Sequence, residues 1–147
     1  MIFEARVDSP LGEIVVWSTE VGLCGLAFGQ GVGRERTEHR VPAERTDGDP
    51  HRALRALRAY FRGDLDALDR LPAAVPGTPF QQAVWATMRT IPPGQTQTYG
   101  QVAKALGKPT ATRAVGAASG ANPLPLVVPC HRVVGADGLV GYSAGLD

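Results

Sequence analysis

The first third of the chain shows the alternation of apolar and polar positions that is typical of half-buried strands. Residues Ile2–Val7 alternate, and two further strand-like segments, Glu13–Ser18 and Leu23–Phe28, are rich in β-branched or other apolar residues. Turn-forming sequences at 9–12 and 20–22 separate the three segments. The pattern predicts a small antiparallel sheet.

A change in pattern after residue 28 indicates a loop, a helix and a linker. The stretch 29–48 is rich in glycine and charge and predicts a surface loop. The helix that follows is indicated by Asp49 as N-cap, by Pro50 at the first helical position, and by an apolar face (Leu54, Leu57 and Phe61). Because 64–76 contains two prolines, we expect it to link two domains, 1–75 and 76–147.

The second half of the chain follows a helical period. Thr78–Gln81 and Thr98–Gln101 both have the sequence of a capping box. The first box opens a helix with a predicted buried stripe formed by Phe80, Val84, Met88 and Ile91. A short helix follows the second box, and after a three-residue turn comes a third helix, from Ala111 to about Ser119. Two short helices joined in this way suggest a helix-turn-helix.

The third helix is built almost wholly from small residues, with Arg113 as its one long side chain. Helices that read the major groove of DNA usually carry several long polar side chains. A helix of alanine, glycine and serine is instead able to approach a backbone or a narrow groove closely. Tight packing of one helix against another is the alternative explanation for the small residues.

Composition and targeting signals indicate an ordinary folded domain. The 147 residues are 44% hydrophobic and 20% charged, and no window approaches the roughly 18 apolar residues of a membrane span. The N-terminus lacks the layout of a signal peptide, and two distant cysteines form neither a disulfide framework nor a zinc site. We therefore expect a cytoplasmic protein with reduced thiols.

The charges are distributed unevenly although the net charge is +1. Residues 1–75 carry ten arginines and twelve carboxylates, whereas 76–147 carry five lysines or arginines and two carboxylates. No acidic residue lies between Asp69 and Asp137. A surface without carboxylates is able to approach phosphates, so the second half favours nucleic-acid binding slightly over chance.

The chemical centre of the sequence is the run from Asn122 to Val134, in which Cys130 is followed by His131 and Arg132. A cysteine beside two potential cations has reasons for a lowered pKa. The thiolate is the nucleophilic form, and a neighbouring imidazole is able to take its proton. A buried structural cysteine is the alternative.

The segment Pro129-Cys130-His131-Arg132-Val133 resembles the active-site motif of the O6-alkylguanine-DNA alkyltransferases. Other segments match the same family in order and spacing: Gly77-Thr78-Pro79-Phe80-Gln81, Val84-Trp85, Ile91-Pro92-Pro93-Gly94, Thr98-Tyr99, Arg113-Ala114-Val115-Gly116 and Asn122-Pro123. The match runs from about Gly77 to Leu146, and the N-terminal part fits more loosely.

The resemblance implies an α+β fold. A small N-terminal antiparallel sheet with a helix, ribonuclease H-like, would precede a helical winged-helix or helix-turn-helix domain that carries the active site. Such a protein would be a monomer that binds double-stranded DNA containing O6-alkylguanine through the minor groove and rotates the damaged base out of the stack. It would need no cofactor, no metal and no membrane.

The implied activity is that of a methylated-DNA–protein-cysteine S-methyltransferase. One alkyl group would move from O6-alkylguanine, or from O4-alkylthymine, to Cys130, so each molecule would act once. The resemblance assigns proton transfer to His131 and Tyr99, and the bracing of the active-site turn to Asn122. It assigns DNA contacts to Arg113, which would fill the vacated space, and to Tyr99.

Further contacts are implied for the backbone and for the pocket. Lys108 and the backbone of Gly100 stand where phosphate contacts are expected. Val133, Tyr142 and Ser143 would line the base pocket, with Val133 as an apolar wall.

The sequence departs from the family at its end. In the family a glutamate on a helix after the Tyr-Ser-x-Gly-Leu segment completes the proton relay, and this sequence stops at Asp147. We therefore expect base flipping to survive, with His131 less well oriented and Cys130 less readily ionised.

Three other functions compete with alkyl transfer. The first is a non-catalytic sensor of alkylated bases. A cysteine hydrolase would need a third orienting group and an oxyanion site, which the acid-free stretch makes hard to find. A helix-turn-helix regulator would have only Arg113 with which to read a sequence.

Overall fold

The computed structural model describes residues 1–28 and 43–135. The chain divides into two compact units, and the boundary between them falls after Pro76. The fold is mixed α+β, with a sheet in the first unit and mainly helices in the second. Both halves of the predicted fold class are therefore confirmed.

A four-stranded sheet forms the first unit. Its strands are β1 (Ile2–Ser9), β2 (Gly12–Ser18), β3 (Leu23–Phe28) and β4 (Ala43–Arg45), in the order β3-β2-β1-β4. The first three pair antiparallel as predicted, and β4 runs parallel to β1. The interpretation of 29–48 as a loop was wrong for 43–45. This edge strand is short and its Glu44 and Arg45 are exposed, so it lacks the apolar alternation of a half-buried strand.

The core of the first unit is centred on β2 and β3. Every residue of β3 is buried, as is every residue of β2 from Ile14 onward, so both faces of these strands are covered. Cys24 lies in this core against Val15 and Trp17, and burial raises the pKa of its thiol. Cys24 is therefore a core residue of the sheet.

The helix of the first unit begins later than predicted. A 3₁₀ turn spans Pro50–Arg52, and α1 spans Ala53–Phe61. Asp49 still caps the helix, but across this extra turn: its carboxylate accepts the backbone N–H groups of Leu54 (2.6 Å) and Arg55 (3.1 Å). Between the 3₁₀ turn and α1 the backbone changes direction, and there His51 and Arg52 have positive φ angles of 55° and 60°.

Residues 64–76 are part of the first unit rather than a linker. The backbone N–H of Leu23 donates to the carbonyl of Pro72 (2.8 Å), and that of Ala74 donates to the carbonyl of Leu23 (2.7 Å). At Gly22 a Cβ atom would lie 2.7 Å from the Pro72 carbonyl oxygen, so this approach requires glycine. The apolar side chains Leu68, Leu71 and Val75 are buried. Pro72 therefore takes part in an extended strand-like pairing, and only Pro76 lies at the boundary between the two units.

The second unit contains α2 (Pro79–Met88), β5 (Gln97–Thr98), α3 (Tyr99–Ala105), α4 (Thr112–Gly120) and β6 (Val133–Val134). Strands β5 and β6 pair in parallel. Both predicted capping boxes are present, and in each the threonine hydroxyl accepts the backbone N–H of the glutamine three residues on (3.1 Å). Val84, Met88 and Ile91 are buried as predicted, whereas Phe80 is half-buried.

The strained turn before α1 gives a prediction about stability. Arg52 has a left-handed conformation that costs a non-glycine residue about 1–2 kcal/mol, so Arg52→Gly should raise the free energy of unfolding by roughly 0.5–1 kcal/mol. Arg58→Gly is the matched control, because Arg58 is also exposed but lies inside α1, where glycine costs about 1 kcal/mol. Urea unfolding of both variants measures the difference. Equal destabilisation by the two substitutions would contradict the assignment of strain to Arg52.

Candidate active site

The segment that leads to Cys130 is buried along its whole length, from Asn122 onward. The Asn122 side chain holds it in a compact loop: its Nδ2 donates to the carbonyl of Val128 (2.9 Å), and its Oδ1 accepts the backbone N–H of Leu124 (2.9 Å). The backbone N–H of Val128 also donates to the carbonyl of Leu124 (2.9 Å). Asn122 therefore bonds to two buried main-chain groups, and it is the partner of the Leu124 N–H in an apolar setting.

The carbonyl of Val128 connects this loop to the cysteine. It accepts a second hydrogen bond, from the backbone N–H of Cys130 (2.8 Å). Within the loop, Leu126 is buried at a φ of 72°, a conformation that disfavours a branched side chain. The hydrogen bonds of Asn122 hold this strained conformation in place.

Cys130 opens a 3₁₀ turn that spans Cys130–Arg132. The backbone N–H of Arg132 donates to the carbonyl of Pro129 (2.9 Å), and that of Val133 donates to the carbonyl of Cys130. Cys130 exposes only 4% of its surface, and Val133 exposes none. The thiol thus lies in an apolar setting at the start of a hydrogen-bonded turn.

His131 is neutral at neutral pH. Burial lowers its pKa to about 4, and the positive charge of the neighbouring Arg132 contributes to this lowering. Among the residues that the structure describes, its buried Nδ1 has no hydrogen-bond partner. Of the two potential cations beside Cys130, His131 is therefore the neutral one, and its ring is in the form that is able to accept a proton or a hydrogen bond.

Arg132 is a structural anchor of the cysteine turn. It is 7% exposed, and its Nη1 donates to the carbonyl of Ile91 (2.7 Å), three residues beyond the end of α2. A cation is favourable near the C-terminus of a helix, and the carbonyls there lack helical partners. The Cys-His-Arg motif revealed this arginine, but nothing in the sequence indicated its partner.

The strand just before Tyr99, β5, pairs with the strand that follows the cysteine turn. In the β5–β6 pairing, Gln97 lies opposite Val133 and Thr98 lies opposite Val134. Tyr99 is half-buried at the first position of α3, directly after Thr98, which caps that helix. This pairing places Tyr99 two residues after the strand partner of Val133, although these two predicted site residues are 34 positions apart in the sequence.

The predicted DNA-contact residues lie on or beside α3 and α4. Arg113 is exposed in the first turn of α4, and Lys108 is exposed in the connection, with its Nζ 5.5 Å from the centre of the Phe80 ring. A Cβ atom at Gly100 would lie 3.8 Å from the hydroxyls of Thr98 and Thr112, an ordinary contact, so the protein itself does not require glycine there.

Trp85 is a site-supporting residue whose role the sequence did not reveal. Its Nε1 donates to the carbonyl of Ala118 (2.9 Å), which ties α4 to α2, and a Cβ atom at Gly77 would lie 2.7 Å from its ring. The sequence gave no signal for this hydrogen bond, which joins residues 33 positions apart.

Two predicted pocket residues, Tyr142 and Ser143, lie outside the described residues, as does Asp147. In the described ranges 1–28 and 43–135, no group of three or more His, Cys, Asp or Glu side chains is arranged to hold a metal ion. Among those same residues, no helix is long and apolar enough to cross a membrane.

A cavity of about 610 Å³ lies in the first unit and contains none of the predicted site residues. Three arginines, two aspartates and several alanines line it, among them Arg52, Arg55, Arg70, Asp64 and Asp66. The candidate active site is therefore placed at the Cys130 turn and not at this cavity.

Family models match both units. The model described as "6-O-methylguanine DNA methyltransferase, DNA binding domain" matches residues 79–147, and that described as "6-O-methylguanine DNA methyltransferase, ribonuclease-like domain" matches residues 2–75.

Curated relatives include methylated-DNA–protein-cysteine methyltransferases from Methanosarcina barkeri and Shigella flexneri. The first is 44% identical over 144 residues, which is 96% of this chain and 88% of the relative. The second is 58% identical over 91 residues, a match that spans 61% of this chain and about half (53%) of the relative.

Solved structures from Mycobacterium tuberculosis are also similar. Its O6-methylguanine methyltransferase has a TM-score of 0.81 and 39% identity, over 99% of this chain and 86% of that one. OGT in complex with DNA has a TM-score of 0.79 and 36% identity, over 97% and 84% of the two chains.

The low pKa of His131 gives a prediction about pH. We expect its ring resonances to titrate with a midpoint near pH 4, against about 6.5 in the unfolded chain. Between these values the unfolded state binds more protons than the folded state, so stability should rise with pH from about 4 to 6.5. NMR titration, with His131→Gln for assignment, tests the midpoint. His131→Gln should also flatten the pH dependence of unfolding, and an unchanged profile would argue against the assignment.

Proposed function

The chain belongs to the 6-O-methylguanine DNA methyltransferase family, and from this premise we propose that it repairs DNA by moving an alkyl group from O6 of guanine to Sγ of Cys130. The observation that carries the proposal is the position of Cys130, fixed by hydrogen bonds through the Val128 carbonyl to Asn122. The reaction consumes the cysteine, so each molecule repairs one lesion.

The chemical step is an in-line displacement at an sp³ carbon. The Cys130 thiolate attacks the alkyl carbon, the S–C bond forms as the C–O6 bond breaks, and the electron pair of that bond stays with guanine. The proton that left the thiol is balanced by the one that neutralises the departing guanine. The product thioether does not hydrolyse, and the cysteine itself is the acceptor, so no organic cofactor is required.

The neutral ring of His131 suits it to accept the thiol proton. A histidine that was already a cation could not do so, and the low pKa keeps the acceptor form present at neutral pH. A base with so low a pKa holds a proton only transiently, so the proton must pass onward as the thiolate reacts. We assign the second proton transfer, to the guanine, to the hydroxyl of Tyr99, which directly follows β5, the strand that pairs with the one after the cysteine turn.

The burial of Cys130 requires that the base leave the duplex. With 4% of its surface exposed, the cysteine is unable to reach an alkyl carbon inside stacked DNA. A base rotated out of the stack is able to enter a pocket, with Val133 as its apolar wall. We assign further pocket contacts to Tyr142 and Ser143 on the family resemblance alone.

DNA contact is assigned to the second unit. The exposed positions of α4 next to Arg113 include Ala114, whose small side chain permits close approach to a narrow groove. Arg113 would fill the space that the rotated base leaves, while Tyr99 crowds the phosphate. Lys108 and the backbone of Gly100 would contact neighbouring phosphates.

The expected setting is the cytoplasm, where the protein would act as a monomer on double-stranded DNA. Cytoplasmic thiols are kept reduced, and the reaction consumes a reduced cysteine.

Intact mass spectrometry tests the proposal. After incubation with a duplex that contains O6-methylguanine, the protein should gain one methyl group, mapped by peptide analysis to Cys130. The Cys130→Ala variant should gain none, and Cys24→Ala, which removes the other cysteine, should react like the wild type. Binding to this duplex without a mass change would instead identify a sensor of alkylated bases.

A further inference from the structure

Gly116 lies in the middle of α4, where it contacts the ring of Tyr99. A Cβ atom at Gly116 would lie 3.4 Å from both Cδ2 and Cε2 of that ring, and 4.0 Å from Cζ. One edge of the tyrosine therefore rests against the helix backbone at this point.

The contact involves two helices that carry proposed site residues. Tyr99 begins α3, and Gly116 lies one turn after Arg113 on the same side of α4. The carbonyl of Ala118, two residues further along α4, accepts the Trp85 hydrogen bond, which fixes this part of the helix. The part of α4 that contacts the Tyr99 ring is thus fixed by its hydrogen bond to α2 and does not easily move away from the ring.

We propose that Gly116 is a positioning residue for Tyr99: the absence of a branched side chain at this position sets how closely the ring approaches α4, and hence where the phenol oxygen stands. The inference rests on the proposed function, in which that oxygen protonates the departing guanine. The space permits one methyl group at ordinary contact distance but not a branched side chain. Two γ-methyl groups occupy two of the three staggered directions, so valine would displace the ring.

The experiment measures methylation of Cys130 by O6-methylguanine supplied as the free base, which removes any effect of α4 on DNA binding. The full chain is compared with Gly116→Ala, Gly116→Val and a control, Ala117→Val, which adds a branched side chain at the next, exposed position of α4. Gly116→Ala should react like the wild type and melt at a higher temperature. Gly116→Val should react about ten- to a hundredfold more slowly, as expected for a displaced catalytic group. Ala117→Val should react like the wild type.

The same substitutions in a Tyr99→Phe background separate positioning from general damage. Phenylalanine keeps the ring, so a structural defect from Gly116→Val would persist, whereas an effect through the hydroxyl would vanish. We expect Tyr99→Phe and the double variant to react at rates within about twofold of each other. If Gly116→Val fails to fold, Gly116→Ser takes its place, with a smaller expected loss.

Two results would overturn the inference while leaving the proposed function intact. One is a folded Gly116→Val protein that methylates Cys130 at the wild-type rate. The other is an equal slowing in the wild-type and Tyr99→Phe backgrounds. Failure of the wild type itself to methylate Cys130 would overturn both proposals together.

Discussion

The site depends on one buried carbonyl group, that of Val128, which accepts hydrogen bonds from the Asn122 side chain and from the backbone N–H of Cys130. A buried amide or carbonyl without a partner costs about 1–3 kcal/mol, so these bonds strongly favour one conformation of the loop. They hold Leu126 at a positive φ and place Cys130 at the start of its turn. The position of the nucleophile therefore depends first on the hydrogen bonds to this carbonyl.

Three contacts then fix this turn within the second unit. Arg132 donates to the Ile91 carbonyl beyond α2, β6 pairs with β5, and Trp85 connects α2 to α4. The result is that a thiol, a neutral imidazole and a tyrosine from separate parts of the sequence belong to one packed unit. Arg132 is held by its hydrogen bond to the Ile91 carbonyl, and His131 is neutral. Neither side chain therefore provides a mobile cation beside the sulfur of Cys130.

Local sequence signals predicted the local features of this structure. The strands β1 to β3 follow from apolar alternation, and both capping boxes follow from a threonine and a glutamine three residues apart. Strand β4 was missed because a charged edge strand has no apolar period, and the interpretation of 64–76 as a linker was wrong because prolines also occur in extended segments that pair at an edge.

The features of the candidate site also fall into two groups: those visible in the local sequence and those that depend on distant residues. The Cys-His-Arg motif and the isolated Arg113 were visible in the sequence, and the family resemblance supplied a role for Asn122. The charge state of His131, the partner of Arg132 and the contact of Gly116 with Tyr99 depend on burial and on residues far away in the chain. Such long-range packing leaves no periodic signal, so only the folded structure reveals it.

The most direct test of this account is the rate at which Cys130 is methylated in Asn122→Ala, measured together with its thermal unfolding. Alanine removes both hydrogen bonds of the side chain and leaves the Leu124 N–H without the partner it has in the loop. The account predicts a variant that still folds at about 25 °C but has a lower melting temperature than the wild type. Its Cys130 should be methylated about a hundredfold more slowly. A folded Asn122→Ala protein that methylates Cys130 at the wild-type rate would contradict it.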